Sequence, residues 1–166
     1  MKEIERKFLI NQLPDLDDIK PIRQERYYLK QDPKEQIRVQ RKEDSYELET
    51  KKWIGPLQYE KNKKKISKEA FEDYKKNCER VILRDSYTIS IQPKISIKIY
   101  HGKQEGFMRA EIEFESIEAA QNYLLPEWVG KEITNTTLGL DAQLILLSKK
   151  EIQDRIKKLS KEEENG

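Results

Sequence analysis

Alternation of apolar and charged residues with a period of two runs through most of this chain, and it commits the backbone to half-buried antiparallel strands. Over residues 2–10, Ile4, Phe8 and Ile10 share one side while Glu3, Glu5 and Lys7 share the other. Residues 36–43 set Ile37 and Val39 against Arg38 and Gln40, and residues 45–52 set Tyr46, Leu48 and Thr50 against Glu47, Glu49 and Lys51. The pattern returns over 94–100, with Ile95, Ile97 and Ile99 opposite Lys94, Ser96 and Lys98. It returns again over 107–115, with Met108, Ala110, Ile112 and Phe114 opposite Arg109, Glu111, Glu113 and Glu115. Segments 22–30, 57–66 and 80–92 supply three less regular strands. Asp44-Ser45 and Gly102-Lys103 fall between runs and predict hairpin turns.

Helical spacing is confined to four stretches. Ser67 is placed to cap 68–78, and Ser116 to cap 117–125. Leucine spacing predicts a helix over about 141–147. Ser148 with Glu151 matches a capping box for a last helix, 149–162, striped by Ile152, Ile156 and Leu159. The acidic residues 162–164 are expected to fray. No repeat or linker interrupts the chain, so 1–166 reads as one domain, with 149–166 a C-terminal helix and tail.

Eight charged strand faces must go somewhere. They face water on an open sheet, or they line the lumen of a closed barrel whose apolar outer faces are covered by the helices. Charge composition narrows the partners. Charged residues make up 39% of the chain, yet 33 Lys and Arg against 31 Asp and Glu leave only +2. Such balance argues against a non-specific nucleic-acid or membrane binder. No apolar run reaches the length of a membrane span, and Met1 leads into Lys2-Glu3 without a signal core, so a cytoplasmic location is expected. Cys78 has no partner and His101 stands alone, which excludes a disulfide framework, a thiolate zinc site and a multi-histidine centre. Any metal must be a hard cation held by carboxylates, magnesium or manganese.

The opening residues carry the sharpest chemistry. Glu3 and Glu5 are alternate residues on one strand face, about 7 Å apart along the strand. A cation between them relieves their repulsion, and Lys7 follows where it can meet an anion bridged by that cation. Ordinary solvated strands show the same alternation.

Further motifs follow in order. Glu3-Ile4-Glu5-Arg6-Lys7 opens the chain; Ile22-Arg23-Gln24 precedes Tyr28-Leu29; Arg38, Lys51 and Glu60 fall on the third, fourth and fifth strands. Arg109-Ala110-Glu111-Ile112-Glu113-Phe114 forms an acidic strand, and Pro126-Glu127-Trp128-Val129-Gly130-Lys131-Glu132-Ile133-Thr134 follows it. Over roughly residues 1–145 the chain resembles the CYTH domains, or triphosphate tunnel metalloenzymes, of the short bacterial type. The resemblance implies an α+β fold: an eight-stranded antiparallel β-barrel, a tunnel with helices packed outside. It implies a metal-dependent hydrolase of a triphosphate moiety, inorganic tripolyphosphate or a nucleoside triphosphate. Lys7, Arg38, Lys51 and Arg84, with Arg26, Arg41 and Lys98, are then expected to hold phosphates. Glu3, Glu5, Glu111, Glu113 and Glu60 are expected to hold Mg2+ or Mn2+. Lys7 and Glu132 are expected to serve catalysis.

The chain also departs from the family pattern. Ser96 and Lys98 stand where an acidic pair is usual, Asn62 where a second acid is common, Ser86 at an often basic place, and Gln40 for a second arginine. These changes keep two rivals open: a polyphosphate- or nucleotide-binding module without turnover, and a nucleotidyl cyclase. Lys61 and Lys63-Lys64-Lys65 read as lysines blunting an exposed strand edge. Trp53 and Trp128 read as packing residues, and the last helix as a cover for the barrel or a face for a homodimer.

Overall fold

The computed structural model describes residues 1–165, with side chains described through Lys161. In chain order the elements are β1 (Lys2–Ile10), β2 (Ile22–Asp32), β3 (Glu35–Lys42), β4 (Ser45–Gly55), β5 (Gln58–Lys65), α1 (Lys68–Lys75), β6 (Ile82–Ile91) and β7 (Lys94–His101). They continue as β8 (Met108–Phe114), α2 (Ile117–Asn122), β9 (Val129–Glu132), α3 (Asp141–Leu144) and α4 (Lys149–Asn165). All eight expected strands form.

Neighbouring strands run β5-β4-β3-β2-β6-β7-β8-β1, every pair antiparallel, and β1 pairs back onto β5 through Lys2↔Glu60, Glu3↔Tyr59 and Ile4↔Gln58. The sheet is therefore a closed eight-stranded barrel, which leaves no exposed edge in the wall. Closure also corrects the reading of the lysine run. Lys61 and Lys63 line the lumen, whereas Lys64 and Lys65 are exposed.

Because side chains alternate, closure sends every apolar stripe outward, where a second layer buries it. Phe8, Ile95, Ala110, Ile112 and Val129 form one cluster, with Tyr123 and Trp128 packed on it. Tyr27, Val39 and Phe71 of α1 form another. A larger cluster joins Tyr28, Ile82, Tyr100 and Phe107 to Leu138, Leu144, Ile145 and Ile152 at one end of the barrel. Burying side chains of this size stabilises by about 1.5–3 kcal/mol each.

The caps form as the serines predict. Ala70 N–H donates to Ser67 Oγ at 3.0 Å, and Ala119 N–H to Ser116 Oγ at 3.0 Å. Ser148 and Glu151 exchange side-chain and backbone bonds, both at 3.1 Å. Three helices end early: α1 stops at Lys75, α2 at Asn122 and α3 at Leu144. The α4 backbone is helical through Asn165. Its stripe of Ile152, Ile156 and Leu159 packs on the barrel-end cluster. β9 is a ninth strand that alternation does not reveal; its four residues pair with the far half of β1, outside the barrel (Phe8↔Glu132, Ile10↔Val129). No helix among the described residues is long and apolar enough to cross a membrane.

Candidate phosphate-binding tunnel

The inward residues of the eight strands enclose a cavity of about 130 Å³. A site holding one water needs roughly 10–15 Å³ on this measure, so the lumen has room for a ligand the size of about ten waters. Eleven Lys and Arg side chains line it against five carboxylates, and the buried Glu49 paired with Arg38 makes six, a formal excess of five in a chain whose net charge is +2. The lumen's formal excess is therefore larger than the net charge of the whole chain. Lys42 and Lys63, with side chains 28% and 37% exposed, mark the open mouth. Leu140 and Asp141 stand across the other end.

Strand register explains which groups meet. Lys7 on β1 lies opposite Glu111 on β8, and Glu5 opposite Glu113. Arg38 on β3 lies opposite Glu49 on β4, and the two form a 2.5 Å ion pair with Glu49 only 1% exposed. Arg38 Nη1 also donates to the Tyr28 hydroxyl at 3.2 Å. Arg84 Nε donates to Gln24 at 2.6 Å. Gln40 accepts from Arg26 Nε and donates to Glu49 at 3.1 Å, so the neutral residue at this position joins two charged ones.

Near the mouth, oxygens of Glu3, Glu5 and Glu113 all lie within 4.8 Å of one another. Burial opposes ionisation of Glu3, but Lys51 and Lys61 hold it well below the usual carboxylate range. Burial and the nearby Glu3 also oppose ionisation of Glu5, and Lys51 and Lys7 outweigh them. Glu113 moves the other way, raised by burial and by repulsion from Glu3 and Glu5, which Lys94 only partly offsets. Glu3 Oε1 is buried without a hydrogen bond; its 2.8 Å contact with Lys51 Nζ is a charge contact only. Three clustered carboxylates that repel one another, one with an oxygen that accepts no hydrogen bond, fit a divalent cation.

Deeper in the lumen the cations are differently held. Lys7 Nζ donates to the Gly139 carbonyl at 2.7 Å and lies 3.4 Å from Glu5; burial pushes its pKa down to about 8. Lys98 Nζ donates to Ser86 Oγ at 2.7 Å. Burial, with Arg84, Arg26 and Arg109 nearby, holds Lys98 well below the usual lysine range, against the pull of Glu111.

The lumen gathers Lys7, Arg26, Arg38, Lys51, Arg84 and Lys98 from the expected phosphate contacts, and Glu3, Glu5, Glu111 and Glu113 from the expected acids. Glu111 is tied by Arg109 at 2.8 Å and Arg84 at 3.2 Å, however, and is not part of the three-carboxylate group. Three expectations are corrected. Arg41 points outward, with Nε donating to the Glu43 carbonyl at 2.8 Å and its guanidinium over Tyr46. Glu60 also lies outside, paired with the N-terminal ammonium at 2.6 Å. Glu132 sits on the outer face, held by Arg6 Nη2 at 2.7 Å and by the Thr134 hydroxyl at 2.7 Å. Of the departing positions, Gln40, Ser86, Ser96 and Lys98 are buried among the inward residues, while Asn62 is exposed. Residues not expected at the site are Lys61, Lys63, Glu49, Arg109 and Asp141. Glu49 and Arg109 share the inward parity of recognised neighbours on strands with a clean apolar phase, so alternation alone could have found them.

Comparison with solved structures agrees with this architecture. The inorganic triphosphatase NE1496 superimposes with a TM-score of 0.64 at 25% identity, over 87% of this chain and 95% of that one. A candidate adenylate cyclase of Bacillus halodurans (bh2851) gives 0.57 at 16% identity, over 72% and 85%. The Hippeastrum protein HpAC1, described by a dominant triphosphatase activity, gives 0.50 at 10% identity, over 72% and 82%. No family model matches the sequence, and no curated protein matches it. Fold and lumen together define a closed eight-stranded antiparallel tunnel barrel with a charged interior. The chain shares that fold with the triphosphatase NE1496 at 25% identity, a similarity carried by the barrel along almost its whole length.

Proposed function

We propose that this protein hydrolyses a triphosphate moiety, inorganic tripolyphosphate or a nucleoside triphosphate, drawn into the barrel lumen. The observation that carries this reading is the formal excess of five basic side chains over carboxylates around one enclosed cavity. A linear phosphate chain brings several negative charges on oxygens spread along its length, which a single metal or one arginine cannot neutralise. The structurally similar NE1496, an inorganic triphosphatase, supports the same assignment.

Within the lumen, Arg38, Lys51, Lys98 and Lys7 bind and orient the anion. Arg38 keeps donors free beyond those given to Glu49 and Tyr28, since a guanidinium has five. Lysine and arginine around the transferring group stabilise charge spread over its equatorial oxygens, which is most of what phosphoryl transfer asks of a protein. The barrel wall keeps bulk water out and so strengthens each of these interactions. Glu3, Glu5 and Glu113 are the residues that would hold a divalent cation, magnesium or manganese. When bound, such a cation supplies charge neutralisation on phosphate oxygens and a more acidic water.

Lys98 and Ser86, filling the lumen beside Ser96, favour a second reading: binding without turnover. Phosphate release from tripolyphosphate and ATP, with and without magnesium or manganese, separates the two. Release with either substrate supports hydrolysis; calorimetric binding without release supports the binding module. Chromatography of the ATP products for a cyclic nucleotide tests cyclase chemistry on the same scaffold.

A further inference from the structure

One end of the lumen is closed by a strap that reaches it from outside the eight strands. The strap is Thr137–Asp141, which follows β9 and ends on the first residue of α3. Its position is forced at Gly139, where a Cβ would stand 2.1 Å from the Ile133 carbonyl oxygen. Only a glycine lets the strap press this closely on the chain beneath it. So held, the strap offers its Leu138 carbonyl to Arg109 Nη1 at 3.0 Å and its Gly139 carbonyl to Lys7 Nζ at 2.7 Å.

Asp141 then places a carboxylate among three guanidiniums. Its Oδ2 lies 3.0 Å from Arg26 Nη1 and 3.0 Å from Arg84 Nη1. Its Oδ1 lies 2.9 Å from Arg109 Nη2 and accepts from the Tyr100 hydroxyl at 2.6 Å. All of these side chains are buried, Arg84 and Arg109 to within 2%. The arginines come from three different wall strands, β2, β6 and β8, and Asp141 is the only one of the four charged groups supplied by the strap. Glu111 reaches Arg84 and Arg109 from the wall, leaving the cluster of three cations with a single wall carboxylate.

Several convergent guanidiniums plus a phenol hydroxyl form a donor set suited to a phosphoryl group. Asp141 fills it with a charge from the chain itself. We propose that Asp141 occupies a latent anion subsite at the blind end of the lumen, and so sets how many phosphates the barrel accepts. The inference rests on the reading that a linear phosphate anion enters this lumen. A chain entering from the mouth stops at Lys98 and Arg38, one subsite short of the end, because the deepest position is already taken by a like charge. Short polyphosphates are therefore preferred to longer ones.

Asp141→Ala removes both the charge and the carboxylate that fills the subsite, leaving the three arginines to take an external anion. Thermal unfolding of the parent and D141A across a series of inorganic phosphate concentrations reads the subsite without needing turnover. Calorimetry with tripolyphosphate and tetrapolyphosphate reads chain length. D141A is expected to lose thermal stability without phosphate and regain it steeply as phosphate is added, while the parent changes little. Its affinity for tetrapolyphosphate relative to tripolyphosphate is expected to rise about tenfold, a 1.4 kcal/mol change. Equal phosphate responses with an unchanged chain-length ratio would overturn the proposal. If D141A does not fold, Asp141→Glu decides. It keeps the charge and extends the carboxylate into the lumen, so tripolyphosphate affinity should fall about tenfold; an unchanged affinity would overturn the proposal. A parent protein that binds no tripolyphosphate at all defeats the proposed function instead, while the phosphate response of D141A still tests the subsite.

Discussion

Lys51 on β4 reaches across β5 to set its Nζ 2.7 Å from Glu5 Oε1 on β1. The same ammonium lies 2.8 Å from Glu3 Oε1, so one cation serves two buried carboxylates. Burial opposes its charge, but Glu5 and Glu3 hold Lys51 protonated well above the usual lysine range. Removing one partner of a buried pair strands the other and typically costs 3–5 kcal/mol. Lys51→Met should therefore destabilise the fold by about 3–5 kcal/mol, and divalent cations should restore more stability to the variant than to the parent. Denaturant unfolding with and without manganese measures both; equal stability and equal metal response would remove Lys51 from this role.

Glu5→Gln tests the carboxylate group at the mouth. Even outer-shell partners of a metal cost roughly 10–100-fold in affinity when changed. Replacing a proposed ligand should cost at least that, read as the manganese concentration needed for half-maximal phosphate release. A variant that hydrolyses as fast as the parent at every manganese concentration refutes the assignment.

Glu132 separates sequence resemblance from geometry. Its carboxylate is 36% exposed and its Arg6 partner 16%, both outside the lumen. Glu132→Gln should leave phosphate release unchanged and cost within about 1 kcal/mol of stability, the range of exposed ion pairs. A large loss of turnover with native stability would return Glu132 to the catalytic set.

Acid should unfold this protein readily. Burial works against ionisation of Glu49, Glu111 and Asp141, yet the facing arginines hold all three carboxyls well below the usual range. Their folded pKa values lie beneath the unfolded ones near 4, so the unfolded chain binds more protons in acid. The stabilisation is full above the unfolded values and is lost as pH falls through the folded ones. Melting temperatures measured from pH 7 to pH 3 should hold steady and then drop steeply below about pH 4; a flat profile contradicts the pairing.

Where strands alternate cleanly, the lumen was readable. On β3, Ile37 and Val39 fix the outward phase, so Arg38 and Gln40 turn in. The same phase places Arg41 outside, and only a family resemblance put it among the phosphate contacts. β5 has no such contrast: Gln58, Glu60 and Asn62 alternate with Tyr59, Lys61 and Lys63, polar on both sides. Its phase is set by pairing with β1 and β4, which is tertiary information, and Glu60 was exchanged for Lys61 accordingly. Asp141 lay further out of reach. Leucine spacing marked its segment as a helix, but its inward aim depends on the contact between Gly139 and Ile133, which no local pattern encodes.

Calorimetric titration of tripolyphosphate into the parent protein and Arg38→Met most directly tests whether the wall charges converge on one anion. The expected result is one site per chain in the parent, far tighter than for orthophosphate, with affinity lowered about tenfold or more in the variant, the loss of one charge-assisted contact. Equal affinities in the two proteins, or no more heat from tripolyphosphate than from orthophosphate, would contradict it.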